Sequence, residues 1–140
     1  MFSLIITIIS IALVAALAVA TIYYGGSAFT QGSSKALAST LVSQAQQIAA
    51  AEVLYANDHA GTFDTSAGLT NLTAGGYLTA VPTPPASLVA AATTYTVATP
   101  GANGFTVSLA LSSTAVCSQA AVSTAPASCS TTTSTFSYVD

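Results

Sequence analysis

The segment MFSLIITIISIALVAALAVATIYYGG, residues 1–26, decides the fold of this chain. Residues 1–22 contain no charged side chain, and their polar positions are all Ser or Thr. As an α-helix, about 22 residues span about 33 Å, which is enough to cross the hydrocarbon core of a bilayer. Hydroxyl side chains bond back to carbonyl groups of their own helix, so they cost little in lipid. The segment therefore predicts a helix that lies in an apolar environment.

A cleaved signal peptide is the competing interpretation of this segment. Such a peptide begins with basic residues and has an apolar stretch of about 7–15 residues. The segment has no basic residue, and its apolar stretch is longer. We therefore expect it to be retained, with Met1 as the mature N-terminus.

The residues that follow predict a continuation of the helix with a weak joint. Tyr23 and Tyr24 stand where aromatic side chains favour a membrane interface. Gly25 and Gly26 come next, and each glycine costs a helix interior about 1 kcal/mol relative to alanine. Residues 33–57 are amphipathic, with Ser, Gln and Glu side chains opposite an apolar face. The members of the apolar face are Leu37, Leu41, Ile48, Leu54 and Tyr55.

The remainder of the chain predicts a small antiparallel sheet. Residues 58–85 contain four glycines and three prolines, as is typical of a loop region. Strand-like runs follow at 93–98, 104–111 and 135–139, and the Pro-Gly-Ala-Asn-Gly turn at 100–104 indicates a hairpin. Alternation predicts that Phe105, Val107 and Leu109 share one face. The predicted fold is α+β: a long N-terminal helix with three or four strands packed on its C-terminal half.

Charged side chains are rare, at 4% of the 140 residues, against about 25% in a typical soluble domain. The one basic side chain, Lys35, argues against a nucleic-acid-binding surface, which needs several Lys or Arg residues on one face. A formal charge of −3 gives little repulsion between copies of the chain. The composition therefore permits self-packing.

No group of residues in the sequence predicts catalysis or a cofactor. His59 is the one histidine, and without a Ser or Cys partner in a nucleophile motif it is interpreted as a solvated loop residue. Asp58 and Asp64 form a weak candidate calcium site, because they lack the spacing of a known calcium loop. Glu52 is interpreted as a solvated acid on the polar helix face, with contact to a neighbouring copy as the alternative. We predict a protein that is not an enzyme and has no cofactor or metal.

Cys117 and Cys129 predict a disulfide that closes a short loop. No CxxC motif or nearby His indicates a metal site, and a disulfide implies an oxidising compartment. In the chain-entropy view, such a bridge adds about 3 kcal/mol to the stability of the fold. Two free buried thiols remain the alternative.

The order of these features resembles that of type IV pilins and pseudopilins. The apolar segment is followed at 45–85 by AQQIAAAEVLYANDHAGTFDTSAGLTNLTAGGYLTAVPTPP. Pilins often have a helix that ends in a Tyr, a short Gly-x-Phe or Gly-x-Tyr loop, and a Leu-x-x-x-Gly-Tyr-Leu-like stretch before prolines. The matching positions here are Tyr55, 61–63 and 72–78. The cysteine pair also resembles the disulfide-bounded C-terminal loop of many bacterial pilins.

The resemblance implies a major pilin, the structural subunit of an extracellular filament, which serves adhesion, motility or DNA uptake. It implies a membrane and filament-core helix at 1–30, an amphipathic helix half at 31–57 and a globular head at 58–140. The implied partners are other copies of the chain, the inner membrane as the site of a precursor pool, and the pilus assembly machinery. The implied filament-core residues are Met1, Phe2, Leu4, Ile5, Ile8, Ile9, Leu13 and Leu17.

The N-terminus departs from the pilin pattern. Pilins usually have a glutamate at the fifth mature position, facing the N-terminal amine of a neighbour, whereas here the fifth residue is Ile5 and no acid precedes Glu52. The short basic leader that ends in glycine is also missing, so processing by a prepilin peptidase is an expectation from the resemblance alone. We expect the amine to be met by backbone carbonyls or by hydroxyls such as those of Ser3 and Thr7.

Two other functions remain open: a pseudopilin of a secretion system, and a non-polymerising membrane protein with a small ligand-binding head. A filament predicts a helix broken within roughly residues 20–33, where packed neighbours satisfy the freed backbone groups. An isolated chain in lipid is expected to close the helix instead.

Asn71-Leu72-Thr73 also matches an N-glycosylation sequon.

Overall fold

The uncharged N-terminal segment is helical in the computed structural model of this chain. The structure describes residues 1–90, 93–101, 104–112, 116–117, 126–130 and 132–139. The elements are α1 (Phe2–Asp58), α2 (Thr70–Ala74), β1 (Thr96–Gly101), β2 (Gly104–Ala110), β3 (Ala127–Ser130) and β4 (Thr135–Val139). One long helix and a small antiparallel sheet confirm the predicted α+β fold.

The chain divides into two compact units, Met1–Ser33 and Ser34–Asp140. In the first unit every residue is exposed. Its hydroxyl side chains turn back onto the helix: Thr7 donates to the carbonyl of Leu4, and Thr21 donates to that of Ala18, each at 2.8 Å. These bonds satisfy the hydroxyls within the helix itself.

The expected weak joint is helical in this chain. α1 continues without a break through Gly25 and Gly26, and Gly32 is helical as well. Thr30 and Ser27 donate to nearby carbonyls, including that of Tyr24, at 3.0–3.2 Å. A chain without packed neighbours satisfies these backbone groups by closing the helix, at a cost of about 1 kcal/mol per glycine. The break that the filament hypothesis predicts is absent from this chain, and an unbroken α1 counts against that hypothesis.

The part of α1 that lies in the second unit has one buried face. Leu41 and Ile48 are fully buried, together with alanines at 38, 45, 49 and 51. Leu37 and Tyr55 are partly buried and pack against this core. The prediction for Leu54 was wrong, because its side chain is 57% exposed, next to the exposed Val53. The small alanines, rather than Leu54, complete the buried face.

The four strands form one antiparallel sheet in the order β1-β2-β4-β3. The predicted hairpin is confirmed by the pairing of β1 with β2, although residues 102–103 of its turn lie outside the described part. Phe105, Val107 and Leu109 are buried on one face of β2, as alternation predicts. They belong to the same core as Leu41 and Ile48 of α1. The sheet therefore packs on the C-terminal half of the helix.

The sequence did not predict β3, whose four residues include Cys129. Such a short Ser-rich run lacks the apolar alternation that marks a strand. Its pairing with β4 provides the backbone partners, with Cys129 opposite Phe136. The disulfide between Cys117 and Cys129 is confirmed, with 5.2 Å between the Cα atoms. It joins the segment after β2 to the edge strand β3.

The connection after α1 is more regular than the predicted loop, because it contains α2. The N–H of Gly61 donates to the carbonyl of Ala56 at 2.7 Å and closes the end of α1. Gly61 has a φ of +83°, a conformation that glycine adopts without strain. Gly75 follows α2, and a Cβ atom there would lie 2.5 Å from the ring of Tyr77. The Gly-Gly-Tyr-Leu stretch thus needs a glycine at its first position for close packing.

Candidate functional surface and buried carboxyl cluster

The candidate functional surface is the apolar face of the unit Met1–Ser33. α1 contains an 18-residue window with a mean hydropathy of 2.8, none of which is buried. It is the one helix of the described residues that is long and apolar enough to cross a membrane. The predicted filament-core residues all expose at least 52% of their surface: Met1, Phe2, Leu4, Ile5, Ile8, Ile9, Leu13 and Leu17.

The same helix carries a shallow apolar groove. It is lined by Ser10, Ile11, Val14, Ala15 and Ala18. The hydroxyl of Ser10 donates to the carbonyl of Ile6 at 2.8 Å and therefore does not need a partner in the groove. Small residues at such positions let a second helix approach closely.

A second feature is a pair of carboxyl groups buried in the unit Ser34–Asp140. Glu52 on α1 is 0% exposed, and Asp64 in the connection after α1 is 1% exposed. The N–H of Asp64 donates to Oε2 of Glu52 at 2.9 Å. The sequence-based interpretation of Glu52 as a solvated acid was therefore wrong. The connection folds back over this position of α1 and covers it.

The carboxylate of Asp64 organises the start of α2. Its Oδ2 accepts the N–H groups of Asn71 and Leu72 at 3.0 and 3.2 Å. Its Oδ1 accepts the N–H of Ser66 and the side-chain amide of Asn71, each at 2.9 Å. Free N–H groups at the start of a helix need such acceptors. Burial by itself raises the pKa of Asp64, but the hydrogen bonds from Ser66, Leu72 and Asn71 outweigh it and hold the pKa below its ordinary value.

Glu52 is satisfied on one side only. Its Oε1 is buried without a hydrogen-bond partner among the described residues. Burial is the main cause that raises the pKa of Glu52 to about 7; the hydrogen bond from the Asp64 N–H opposes this rise, and the negative charge of Asp64 adds to it. Near neutral pH this carboxyl is therefore able to hold a proton.

The end of α1 carries a partly exposed aromatic cluster. The ring of His59 stacks on that of Tyr55 at 4.0 Å, and the ring of Tyr77 meets Tyr55 edge-on at 5.6 Å. The hydroxyl of Tyr77 donates to Asp58 at 2.8 Å. This bond raises the pKa of Tyr77, with smaller contributions from burial and from the charge of Asp58. The side chain of His59 is exposed, as its interpretation as a solvated residue expects.

The carboxylates of Asp58 and Asp64 are engaged by hydrogen-bond donors of the chain itself. Both oxygens of Asp64 accept N–H groups, while Asp58 accepts the Tyr77 hydroxyl. In the described part of the chain, no cluster of three or more His, Cys, Asp or Glu side chains is arranged to hold a metal ion. The weak calcium hypothesis gains no support from this geometry.

Asn71 of the predicted sequon lies on α2 and is exposed. Its side-chain amide is engaged with Asp64, so a glycan there would have to share the nitrogen that makes this bond. Glycosylation at Asn71 stays a prediction. The fold thus brings Asn71 of the sequon next to the buried acids. Their separation along the chain does not predict this contact.

Sequence reasoning also missed the role of Gln44. This side chain was placed on the wet face of α1, but its Oε1 accepts the hydroxyl of Tyr95 at 2.7 Å. Its amide donates to the carbonyl of Thr83 at 3.0 Å. Tyr95 is fully buried, and burial raises its pKa far above the ordinary value. The sequence contained one signal for this role: Gln44 lies one helical turn from Leu41 and one from Ile48, at the margin of the apolar face.

Comparison of the chain with protein-family models, with curated proteins and with solved structures finds no match.

Proposed function

We propose that this chain is the structural subunit of a type IV pilus-like extracellular filament. In this proposal the unit Met1–Ser33 lies in the inner membrane before assembly and packs against the same unit of other copies afterwards. The observation that carries the proposal is that this unit is apolar, helical and exposed along its whole length. Covering apolar surface is favourable by about 25 cal/mol per Å². In this proposal lipid covers it before assembly and other copies cover it afterwards.

Two features of the unit support packing between copies. Its residues 1–33 include no acid or base, so copies do not repel one another through side-chain charge. The hydroxyls of Thr7, Ser10 and Thr21 are satisfied within the helix, which removes a cost of burial. In this proposal the groove at Ala15 and Ala18 receives side chains of a neighbouring helix.

The unit Ser34–Asp140 supports a location outside the cytoplasm. It has its own core, formed by α1, α2 and the sheet, and a disulfide holds β3 to the segment after β2. Disulfides persist in oxidising compartments such as the periplasm and the cell surface. A disulfide-bonded head on an apolar helix suits a subunit displayed on a filament.

The second candidate is a membrane protein with one span that does not polymerise. The observation that favours it is the unbroken course of α1 through Gly25 and Gly26, since such a protein has no need of a break there. Its head would act alone, with a solvent-facing surface for a ligand. The two candidates differ in whether copies of residues 1–33 touch.

Imaging of sheared cell-surface material by negative-stain electron microscopy, with mass spectrometry of the same material, tests the proposal. Filaments that contain this chain are the expected result. Recovery of the chain in the membrane fraction alone would support the second candidate.

A groove variant sharpens the test. Ala15→Leu with Ala18→Leu keeps the segment apolar and fills the groove, so membrane insertion should persist while filament yield falls. Ile11→Leu with Val14→Ile changes the same groove with little change of volume and serves as the control. Equal filament yields from both double variants would argue against packing through this groove.

A further inference from the structure

We propose that Glu52 and Asp64 form a proton-dependent latch, which ties the connection after α1 to the helix while Glu52 carries a proton. The latch is independent of whether the chain assembles into filaments. In the closed latch the connection covers Glu52, which is 0% exposed, and the Asp64 N–H donates to its Oε2 at 2.9 Å. This bond favours the charged carboxyl, but the cost of burying that charge outweighs it and favours the proton. Glu52 would carry the proton, because its other carboxyl oxygen, Oε1, is buried without a partner among the described residues.

The two acids have different roles because their partners differ. Asp64 receives four N–H groups, three from the backbone of Ser66, Asn71 and Leu72 and one from the Asn71 side chain. These donors stabilise a negative charge on Asp64. Glu52 accepts one N–H, and the negative charge of Asp64 acts on its carboxyl group within the fold. A second negative charge on Glu52 is therefore opposed, and the folded state favours its neutral form.

Among the described residues, no positive charge acts on Glu52. Asp64 is the acid that acts on it from the connection, and α2, with the sequence TNLTA, has no titratable side chain. The described parts of the sheet region contribute no acid or base other than the phenols of Tyr95 and Tyr138. On α1, the titratable side chains nearest to Glu52 in the sequence are Tyr55, Asp58 and, just beyond the helix, His59.

The direction of the pH dependence follows from linkage. The pKa of Glu52 is raised in the fold from its ordinary 4.5 to about 7, so folding takes up a proton between these values. The stability that this proton contributes is complete below about pH 4.5 and is lost as the pH rises through about 7. Each unit of pKa difference changes the folding equilibrium tenfold, so this contribution falls on the order of 100-fold across the interval.

Glu52 is the one glutamate of the chain, so ¹³C-labelled glutamate reports on this carboxyl alone. We expect the carboxyl resonance of the full chain in detergent micelles to titrate near pH 7, the folded-state value. A midpoint near the ordinary value of 4.5 would overturn the latch. This measurement uses the unaltered chain and does not depend on the folding of a variant.

A comparison of variants tests the link to stability. Urea unfolding of the full chain in micelles, followed by tyrosine fluorescence between about pH 4 and 8, gives the pH slope of the folding equilibrium. Glu52→Gln should remove the loss of folding stability that the original chain shows as the pH rises. His59 is present in both chains, so its own contribution cancels in their difference. Gln47→Glu, an acid at an exposed position of α1, should keep the original slope; equal slopes for the original chain and Glu52→Gln would overturn the proposal.

Discussion

The N–H of Asp64 donates a hydrogen bond of 2.9 Å to Oε2 of Glu52, and so two buried acids of a charge-poor chain meet in its core. Twelve residues separate them in the sequence. The contact exists because the chain reverses after α1 and returns along it. Asp64 then lies where it also accepts the first free N–H groups of α2.

Asp64→Asn should destabilise the head by about 2 kcal/mol, because the variant leaves buried N–H groups short of acceptors. The pKa of Asp64 is lowered in the fold, so its contribution is present above the ordinary value of 3.8 and is lost as the pH falls through the lower, folded value. Chemical denaturation near neutral pH and in acid measures both effects. Asp58→Asn is the control, since Asp58 is exposed and accepts one bond from Tyr77. A larger loss for the control would contradict this assignment.

Tyr95→Phe should cost about 1 kcal/mol, because Oε1 of Gln44 loses the hydroxyl that donates to it inside the fold. A double-mutant cycle with Gln44→Leu isolates the pair and should show a coupling free energy above about 0.5 kcal/mol. Tyr24→Phe, in the exposed N-terminal unit, should leave the stability of the head unchanged. Additive effects of the two substitutions would show that the bond contributes nothing.

Cys117→Ser with Cys129→Ser should lower the free energy of unfolding of the head by about 3 kcal/mol and leave the N-terminal helix inserted in membranes. The physical reason is the lost restraint between β3 and the segment after β2. Thermal unfolding and a membrane-fractionation assay measure the two outcomes. Reduction of the original chain should reproduce the loss, while Ser128→Ala, at an exposed position of β3, should not. A variant as stable as the original chain would contradict this role of the disulfide.

Gly25→Ala with Gly26→Ala should stiffen α1, because alanine is better than glycine in a helix by about 1 kcal/mol at each position. A Cβ atom at either site meets nothing within 4 Å, so the variant introduces no clash. If filaments need a broken helix here, their yield should fall while membrane insertion stays the same. Ser39→Ala, on an exposed part of α1 outside the joint, is the control. Undiminished filament yield would show that assembly keeps the helix closed.

The sequence predicted those helices and strands whose pattern of apolar residues lies within one short stretch of the chain. The uncharged residues 1–22 predicted the helix, and the alternation of Phe105, Val107 and Leu109 predicted the inward face of β2. β3 and α2 escaped prediction because each is short and depends on partners elsewhere. β3 is held by β4, and the first N–H groups of α2 are held by Asp64 and Ser66.

The sequence by itself determined the apolar helix and the hairpin, because hydropathy and alternation are local properties. It predicted the disulfide but left two free thiols as the alternative, and the structure decided between them. Only the tertiary structure decided that Glu52 is buried and that Gln44 receives the hydroxyl of Tyr95, which lies 51 residues away. A polar side chain becomes buried when a distant segment covers it and supplies a donor. That condition depends on the path of the chain, which the residues next to the polar side chain do not determine.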